Sequence, residues 1–230
     1  IYSFLLGAKL RIGEYMKYKL PLYTEQVKFN ANIHRVESNL SLINQIANLN
    51  TKPLFCLDQD SENYSLNFLS KFQTSTIIGI HPGCNQKYAN KRWEIEKYIS
   101  LIKLIEVEYQ FSKILIFIGP DEKDVGKEIK NNIPNIILIE NNLQSVSAII
   151  SKLDLMITND SGLGHIASCF NINILTIFSK YTHANPTKIK PFSNKSHIIN
   201  FKNHRVGVTI EVNEVFKTIT EIVNKNKALL

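Results

Sequence analysis

The chain has 230 residues, of which 44% are hydrophobic and 20% are charged, and its formal net charge is +7. This length and composition are enough for one full domain plus part of another, and they exclude an intrinsically disordered chain. The three cysteines, Cys56, Cys84 and Cys169, stand without paired spacing, which argues against a disulfide framework or a zinc site.

The positive charge is compatible with nucleic acid, an anionic membrane face or anionic small molecules as partners. The lysines are scattered and no nucleic-acid-binding signature accompanies them, so no nucleic-acid partner is expected. The longest apolar runs, such as 114–118 and 172–178, have the length of strands and are too short to span a membrane. No signal-peptide pattern opens the chain, so we expect a cytoplasmic location. Peripheral contact with the inner membrane face and an ordinary solvated lysine surface both stay open.

Apolar runs of strand length alternate with helical patterns along most of the chain. In the first 75 residues we expect two helices, 33–47 and 61–72, around a short strand at 53–57. Further strands are predicted at 76–80, 113–118, 136–140, 154–158 and 174–178. This alternation predicts an α/β fold whose doubly wound parallel sheet is covered by helices on both faces.

The same patterns predict a division of the chain into three parts. Residues 1–74 resemble the back end of an α/β domain and end in the linker 73–75. Residues 75–210 form the doubly wound domain, and 211–230 form a C-terminal helix with apolar residues at helical spacing.

The turn at 159–165, Asn-Asp-Ser-Gly-Leu-Gly-His, follows the strand predicted at 154–158 and leads into a helical pattern. In a parallel sheet such a turn lies at the carboxyl end of a strand, where backbone N–H groups can bind phosphate. Asp160 is a suitable N-cap, and Ser161 and Gly162 are small enough to let a diphosphate approach the backbone. His165 lies one helical turn after Ser161, so both side chains can donate to phosphate oxygens. A capped helix with a core histidine is the open alternative.

The strand predicted at 76–80 leads into His-Pro-Gly-Cys at 81–84, and Lys91 and Arg92 then precede Trp93 and a helix from Glu94 to Tyr109. A lysine directly before a helix can reach a phosphate held over the loop. A surface Lys-Arg pair is the open alternative.

Two carboxylates, Asp121 and Glu122, follow the strand predicted at 113–118. A carboxylate in this position can accept hydrogen bonds from ribose hydroxyls. For Glu122, an acid placed at a helix N-terminus by the helix dipole explains the residue equally well.

The ordered set of H-P-G at 81–83, K-R-W at 91–93 and D-S-G-x-x-H at 160–165 resembles glycosyltransferase family 9, the lipopolysaccharide heptosyltransferases. The resemblance covers about residues 75–180. It implies a two-domain enzyme with facing Rossmann-like halves, in which the C-terminal half binds ADP-heptose and the N-terminal half binds a lipid-linked acceptor. It also implies inverting transfer of the heptose to a lipopolysaccharide core, without metal or cofactor.

The resemblance assigns donor binding to Gly83, Cys84, Lys91, Asp121, Asp160, Ser161, Gly162 and His165. Lys91 would neutralise the leaving diphosphate, and Asp121 would hold the ribose. The diphosphate and the sugar would be lined by Asp160, Ser161, Gly162 and His165, opposite the loop that contains Gly83 and Cys84. The general base of the family belongs to the front of the N-terminal domain, and we expect it to lie outside this chain. A complete domain of that kind needs roughly 150 residues.

Other functions use similar sheets. A dehydrogenase is disfavoured because no G-x-G-x-x-G turn follows the first strand, and a P-loop is missing as well. A serine hydrolase is disfavoured because Ser161 lacks the G-x-S-x-G elbow. Two alternatives remain, namely a non-catalytic nucleotide-sugar-binding module or fragment, and a related transferase that uses another nucleotide sugar.

Overall fold

The computed structural model describes residues 6–15, 22–28, 30, 32–44, 51–74, 76–179, 185–201 and 209–227. For residues 225–227 it describes the backbone only. The chain divides into two compact units, Ile1–Pro53 with Thr187–Ile189, and Leu54–Pro186 with Lys190–Leu230. The smaller unit contains the short parallel strands β1 (Ile12–Glu14) and β2 (Glu25–Val27) and the helix α1 (Arg35–Ile43). The sequence predicted this helix over 33–47, of which residues 45–47 lie outside the described part.

From residue 54 onward, helices and strands alternate. The helices are α2 (Gln59–Leu69), α3 (Ile95–Glu108), α4 (Lys123–Asn132), α5 (Leu143–Ile150), α6 (Gly162–Ala167), α7 (Pro186–Ile189) and α8 (Val212–Lys227). The strands are β3 (Thr76–His81), β4 (Ser112–Phe117), β5 (Ile137–Ile139), β6 (Leu155–Asn159), β7 (Asn173–Phe178) and β8 (Ser196–Asn200). Two short 3₁₀ helices, Gln86–Lys91 and Pro120–Glu122, lie after β3 and β4.

Within the described residues, β3 to β8 form one six-stranded parallel sheet in the order β5-β4-β3-β6-β7-β8. The chain therefore moves outward on one side after β3 and on the other side after β6. The point between these two strands is where the winding reverses, and ligands of open α/β sheets bind at such points. The register places His81 of β3 beside Thr158 of β6 at this point. The predicted α/β fold with a doubly wound parallel sheet is confirmed.

Both faces of the sheet are buried, and the residues of β4 illustrate this because they alternate between two apolar clusters. Ile114 and Ile116 belong to one apolar cluster, while Leu115 and Phe117 belong to a second cluster on the opposite face. This alternation is the period of two that a strand imposes. Helices α3, α4 and α8 contribute to the first cluster and α5 and α6 to the second. Each fully buried aliphatic or aromatic side chain stabilises the fold by about 1.5–3 kcal/mol.

Two strands differ from the sequence expectation. Residues 53–57 lie within the described part but form no strand, since none of the described strands pairs with them. Their backbone instead meets a side chain, with Gln144 Nε2 donating to Cys56 O at 3.3 Å. Strand β8 was not among the predicted strands, since Ser-His-Ile-Ile-Asn has only two adjacent apolar residues. Its pairing with β7 makes it a strand.

The two compact units divide after Pro53, whereas the sequence places a linker at 73–75. Helix α2 belongs to the larger unit because Phe68, Leu69 and Phe72, in and just after this helix, contact the second core cluster. The expected division into three parts stays a prediction.

Candidate functional site

A cleft opens at the carboxyl edge of the sheet, where β3 and β6 end. It has two adjoining parts, which we call the apolar chamber and the charged chamber. Their volumes are about 460 Å³ and about 220 Å³. Both are lined by Cys84 and Asn85 from the loop after β3 and by Ser161 and Gly162 from the turn after β6. The cleft is therefore placed by the topology of the sheet.

The apolar chamber lies over the ends of β4 and β5. Its apolar lining consists of Phe117, Ile118, Pro120, Ile139, Leu143, Val146, Leu163 and Ile166. Polar groups reach it from His81, Glu122 and Asn141. A largely apolar wall with a few placed polar groups is typical of small-molecule sites, which usually measure about 300–1,000 Å³.

The charged chamber contains most of the predicted donor residues. Its lining consists of Cys84, Asn85, Tyr88, Lys91, Asp160, Ser161, Gly162 and His165. The fold thus brings together six of the eight residues that the sequence predicted, from segments up to about 80 positions apart. Gly83 and Asp121 are not among the described residues that line either chamber.

Lys91 and Asp160 form an ion pair across this chamber. Lys91 Nζ lies 3.1 Å from Asp160 Oδ2 and 4.9 Å from the ring centroid of Tyr88. The two charged side chains keep 22% and 15% of their exposure, so the pair is partly buried and solvent screens it only in part. Because both residues line the charged chamber, an anionic ligand bound there can replace the carboxylate as the partner of the ammonium group.

The N-cap of α6 is Ser161, which corrects the prediction that Asp160 caps this helix. Ser161 Oγ accepts from Gly164 N at 3.5 Å and lies 2.8 Å from Thr158 Oγ1. The helix begins one residue later than expected because the Asp160 carboxylate pairs with Lys91 instead. Ser161 therefore has a structural role in this state. With six residues α6 has a small dipole, so Lys91 is the main source of positive charge here.

Arg92 has a different role from its neighbour Lys91. Its Nη2 donates to Cys84 O at 2.8 Å, to Asp121 O at 3.3 Å and to Glu122 Oε1 at 3.4 Å. Its side chain is only 16% exposed. These bonds hold the loop after β3 against the turn after β4. The alternative of a surface Lys-Arg pair is therefore wrong for Arg92.

Of the two carboxylates after β4, Glu122 and not Asp121 faces the cleft. Glu122 is buried, and its Oε2 accepts from Gly119 N at 2.9 Å. Asp121 is exposed, and its Oδ2 accepts from Gln86 N at 3.2 Å. Its assignment to the ribose stays a prediction. The buried Glu122 also explains Gly83, where a β-carbon would lie 2.2 Å from Glu122 Cγ.

Two titratable side chains on the cleft wall are kept neutral. His81 Nδ1 lies 2.9 Å from Phe117 O, and since a carbonyl only accepts, Nδ1 carries the proton and Nε2 remains an acceptor. Burial lowers the pKa of His81. Burial raises the pKa of the Cys84 thiol, whose Sγ donates to Tyr88 O at 3.1 Å. A protonated thiol is a poor nucleophile, so Cys84 is a wall residue.

The sequence analysis assigned no role to Asn159, which is fully buried at the end of β6. Its Oδ1 accepts from Trp93 N at 3.0 Å and from Tyr98 OH at 3.1 Å. Its Nδ2 donates to Pro82 O at 2.8 Å and to Gly83 O at 3.3 Å. The one available signal was a polar residue at the end of an apolar strand. Burial also raises the pKa of Tyr98, so its hydroxyl stays a donor.

The described residues contain no group of three or more His, Cys, Asp or Glu side chains arranged to hold a metal ion. None of their helices combines the length and apolarity that crossing a bilayer requires.

The sheet order and the position of the cleft define a Rossmann-like α/β domain. Residues 3–215 match the model of the family described as glycosyltransferase family 9 (heptosyltransferase). The chain belongs to glycosyltransferase family 9. The resemblance drawn from the three sequence motifs is confirmed.

Individual relatives agree with this assignment. The chain is 26% identical over 151 residues to the lipopolysaccharide core heptosyltransferase OpsX of Haemophilus influenzae, over 62% of this chain and 40% of OpsX. Its fold is similar to that of Escherichia coli ADP-heptose LPS heptosyltransferase II, with a TM-score of 0.75, 18% identity and coverage of 98% and 73%. E. coli heptosyltransferase WaaC with ADP gives a TM-score of 0.65, 18% identity and coverage of 88% and 61%. The chain spans about two fifths of the length of the curated relatives it matches.

Proposed function

We propose that this chain binds the donor in a transferase that moves a heptose from ADP-heptose to a lipopolysaccharide core acceptor, with inversion and without a metal. The observation that carries the proposal is the Lys91–Asp160 pair, held at the reversal point of the sheet beside a chamber of nucleoside size. Membership of family 9 supports the heptosyl transfer, and the similar WaaC was solved with ADP.

The two chambers match the two ends of a nucleotide sugar. The apolar chamber suits the base, because its wall is aromatic and aliphatic. The charged chamber suits the diphosphate and the sugar, which would lie among Lys91, Gly162 and His165. The ribose would lie near the turn at 120–122, where Glu122 is the carboxylate on the chamber wall.

Lys91 would act on the leaving group. In an inverting transfer the acceptor oxygen forms a bond to the anomeric carbon on the face opposite the diphosphate, and the bond from that carbon to the diphosphate breaks. Negative charge grows on the departing ADP, and an ammonium group at hydrogen-bond distance stabilises that charge. The acceptor hydroxyl loses its proton to a general base that we assign to no residue of this chain.

Calorimetry on the 230-residue chain tests donor binding. We expect ADP to bind at least about 10-fold more tightly than adenosine, since one charge-assisted hydrogen bond contributes about 1.5–3 kcal/mol. The ADP affinity should also stay the same when EDTA is added. Equal affinities for ADP and adenosine would contradict the proposal, and a preference for UDP would favour the transferase that uses another nucleotide sugar.

A transfer assay tests the reaction. Release of ADP from ADP-heptose should depend on a lipopolysaccharide core acceptor, and the product should have the inverted anomeric configuration. Tight ADP binding without transfer by the intact enzyme would favour a non-catalytic module. A lipid-linked acceptor also implies peripheral contact with the inner membrane face, which cosedimentation with anionic vesicles would detect.

A further inference from the structure

The three sequence motifs of the cleft meet at one buried amide, that of Asn159. A side-chain amide can accept two hydrogen bonds through its oxygen and donate two through its nitrogen. Asn159 makes all four, to Trp93 N, Tyr98 OH, Pro82 O and Gly83 O, at 2.8–3.3 Å. No solvent reaches the side chain. The amide is therefore saturated by the protein and does not bind ligand itself.

These hydrogen bonds lie beyond the last backbone pair of the sheet between β3 and β6. The ladder between β3 and β6 ends at the pair of His81 and Thr158. Beyond it, the backbone oxygens of Pro82 and Gly83 are bound by the side-chain Nδ2 of Asn159, the last residue of β6, instead of by the backbone of this strand. The side chain thus continues the contact between the two strands into the loops that line the cleft.

Three of the four residues that Asn159 contacts, Pro82, Gly83 and Trp93, are close in sequence to a group on the cleft wall. Gly83 precedes Cys84, and Trp93 follows Lys91 and Arg92. Asn159 itself precedes Asp160, which pairs with Lys91. A shift of this amide would therefore change the spacing between the loop after β3, the lysine and the turn after β6.

We infer that Asn159 is a positioning residue for the donor diphosphate, because its four hydrogen bonds fix the two loops and the Lys91 segment around the charged chamber. This inference rests on the proposed function. The apolar chamber shares Cys84, Asn85, Ser161 and Gly162 with the charged chamber, but most of its wall comes from the ends of β4 and β5 and from α5, to which the Asn159 side chain makes no hydrogen bond. Loss of the amide should therefore weaken binding of the diphosphate much more than binding of the nucleoside.

The test compares ADP with adenosine in the full 230-residue chain. Asn159→Asp keeps the shape and the two acceptor bonds but removes the donor pair, and Asn159→Ala removes all four bonds. We expect both to weaken ADP binding at least 10-fold while adenosine affinity changes less than about 2-fold. Trp93 is the single tryptophan of the chain, so its emission reports displacement of its segment and should change in both variants.

Asn173 offers a matched control. It is also a buried asparagine, and its Nδ2 donates to Asp154 O at 3.1 Å, but it lies at the start of β7, at the opposite edge of the sheet. Asn173→Ala should lower the melting temperature without changing the ratio of ADP to adenosine affinity. Tyr98→Phe removes only the hydroxyl that donates to Asn159 Oδ1 and preserves the ring. It should reduce that ratio a few-fold in a folded protein, which keeps the test decisive if the Asn159 variants do not fold.

The outcomes separate this inference from the function on which it rests. If the unchanged chain does not bind ADP, the proposed function is wrong and the inference falls with it. If the unchanged chain binds ADP, two results overturn the inference alone. The first is an unaltered ratio of ADP affinity to adenosine affinity in every folded variant of Asn159 and Tyr98. The second is an equal loss of affinity for the two ligands.

Discussion

Replacement of Gly162 by alanine tests whether glycine is required at this position for ligand binding or for stability of the fold. Gly162 is the exposed first residue of α6, and a β-carbon built on it meets no heavy atom within 4 Å. Among the described residues only Gly7 has a positive φ, so the backbone at Gly162 suits alanine. Alanine is favoured over glycine within helices by about 0.5–1 kcal/mol. We expect the free energy of unfolding to stay unchanged or to rise by up to about 1 kcal/mol.

The same alanine should impair donor binding. Gly162 lines both chambers, and under the proposed function its backbone N–H faces a phosphate oxygen at about 2.9 Å. A methyl carbon needs about 3.5 Å to its neighbours, so a β-carbon on the chamber wall occupies space through which the diphosphate would approach the backbone and moves it away from this N–H. Loss of one charge-assisted hydrogen bond costs about 1.5–3 kcal/mol, which corresponds to roughly a 10- to 100-fold increase in the Kd for ADP.

Calorimetry with ADP and denaturant unfolding together measure both effects. Gly83→Ala is the matched control, because its β-carbon would lie 2.4 Å from Glu122 Oε1 and force this buried side chain away from Arg92 and Gly119 N. Overpacking of this kind costs about 1–3 kcal/mol of stability. An unaltered Kd in Gly162→Ala would refute the idea that the diphosphate approaches this turn. A clear loss of stability in Gly162→Ala would contradict the observation that a β-carbon fits at this position without touching other atoms.

Three further outcomes are expected. Lys91→Ala should weaken ADP binding by about 10- to 100-fold with a nearly unchanged melting temperature. In a transfer assay the mutation should lower mainly kcat, and an unaltered kcat would show that Lys91 does not act on the leaving group. Arg92→Ala should instead lower the free energy of unfolding by about 3 kcal/mol, because it leaves the buried Glu122 carboxylate unpaired, and an unchanged denaturant midpoint would contradict this. Burial lowers the pKa of His81, so below about pH 6.5 the unfolded chain binds a proton that the folded chain does not, and stability should fall as the pH falls. His81→Gln should flatten this decline between pH 7.5 and 5.5, and equal slopes in the two proteins would show that another group causes it.

The sequence by itself determined the class of fold and the segments that form the cleft. Strand β6 (Leu155–Asn159) lies within one residue of its predicted position, and α3 (Ile95–Glu108) lies within the helix predicted from Glu94 to Tyr109. These predictions succeed because apolar periodicity is a local property of the chain. The order of the three motifs also sufficed to identify the family, since each motif is a short run of residue types that the sequence itself contains.

Only the tertiary structure decided which side chains act together. Lys91 and Asp160 are 69 positions apart, and their contact depends on β3 and β6 being neighbours at the reversal point of the sheet. The choice of Glu122 over Asp121 for the cleft wall likewise depends on packing against Gly83 and Arg92. The pattern of residue types along the chain does not determine the strand order or the register by local rules, because both arise from contacts between distant segments. For the same reason the role of Asn159 follows only from the positions of the four groups that its amide binds, although the residue stands out in the sequence as a polar one at the end of an apolar strand.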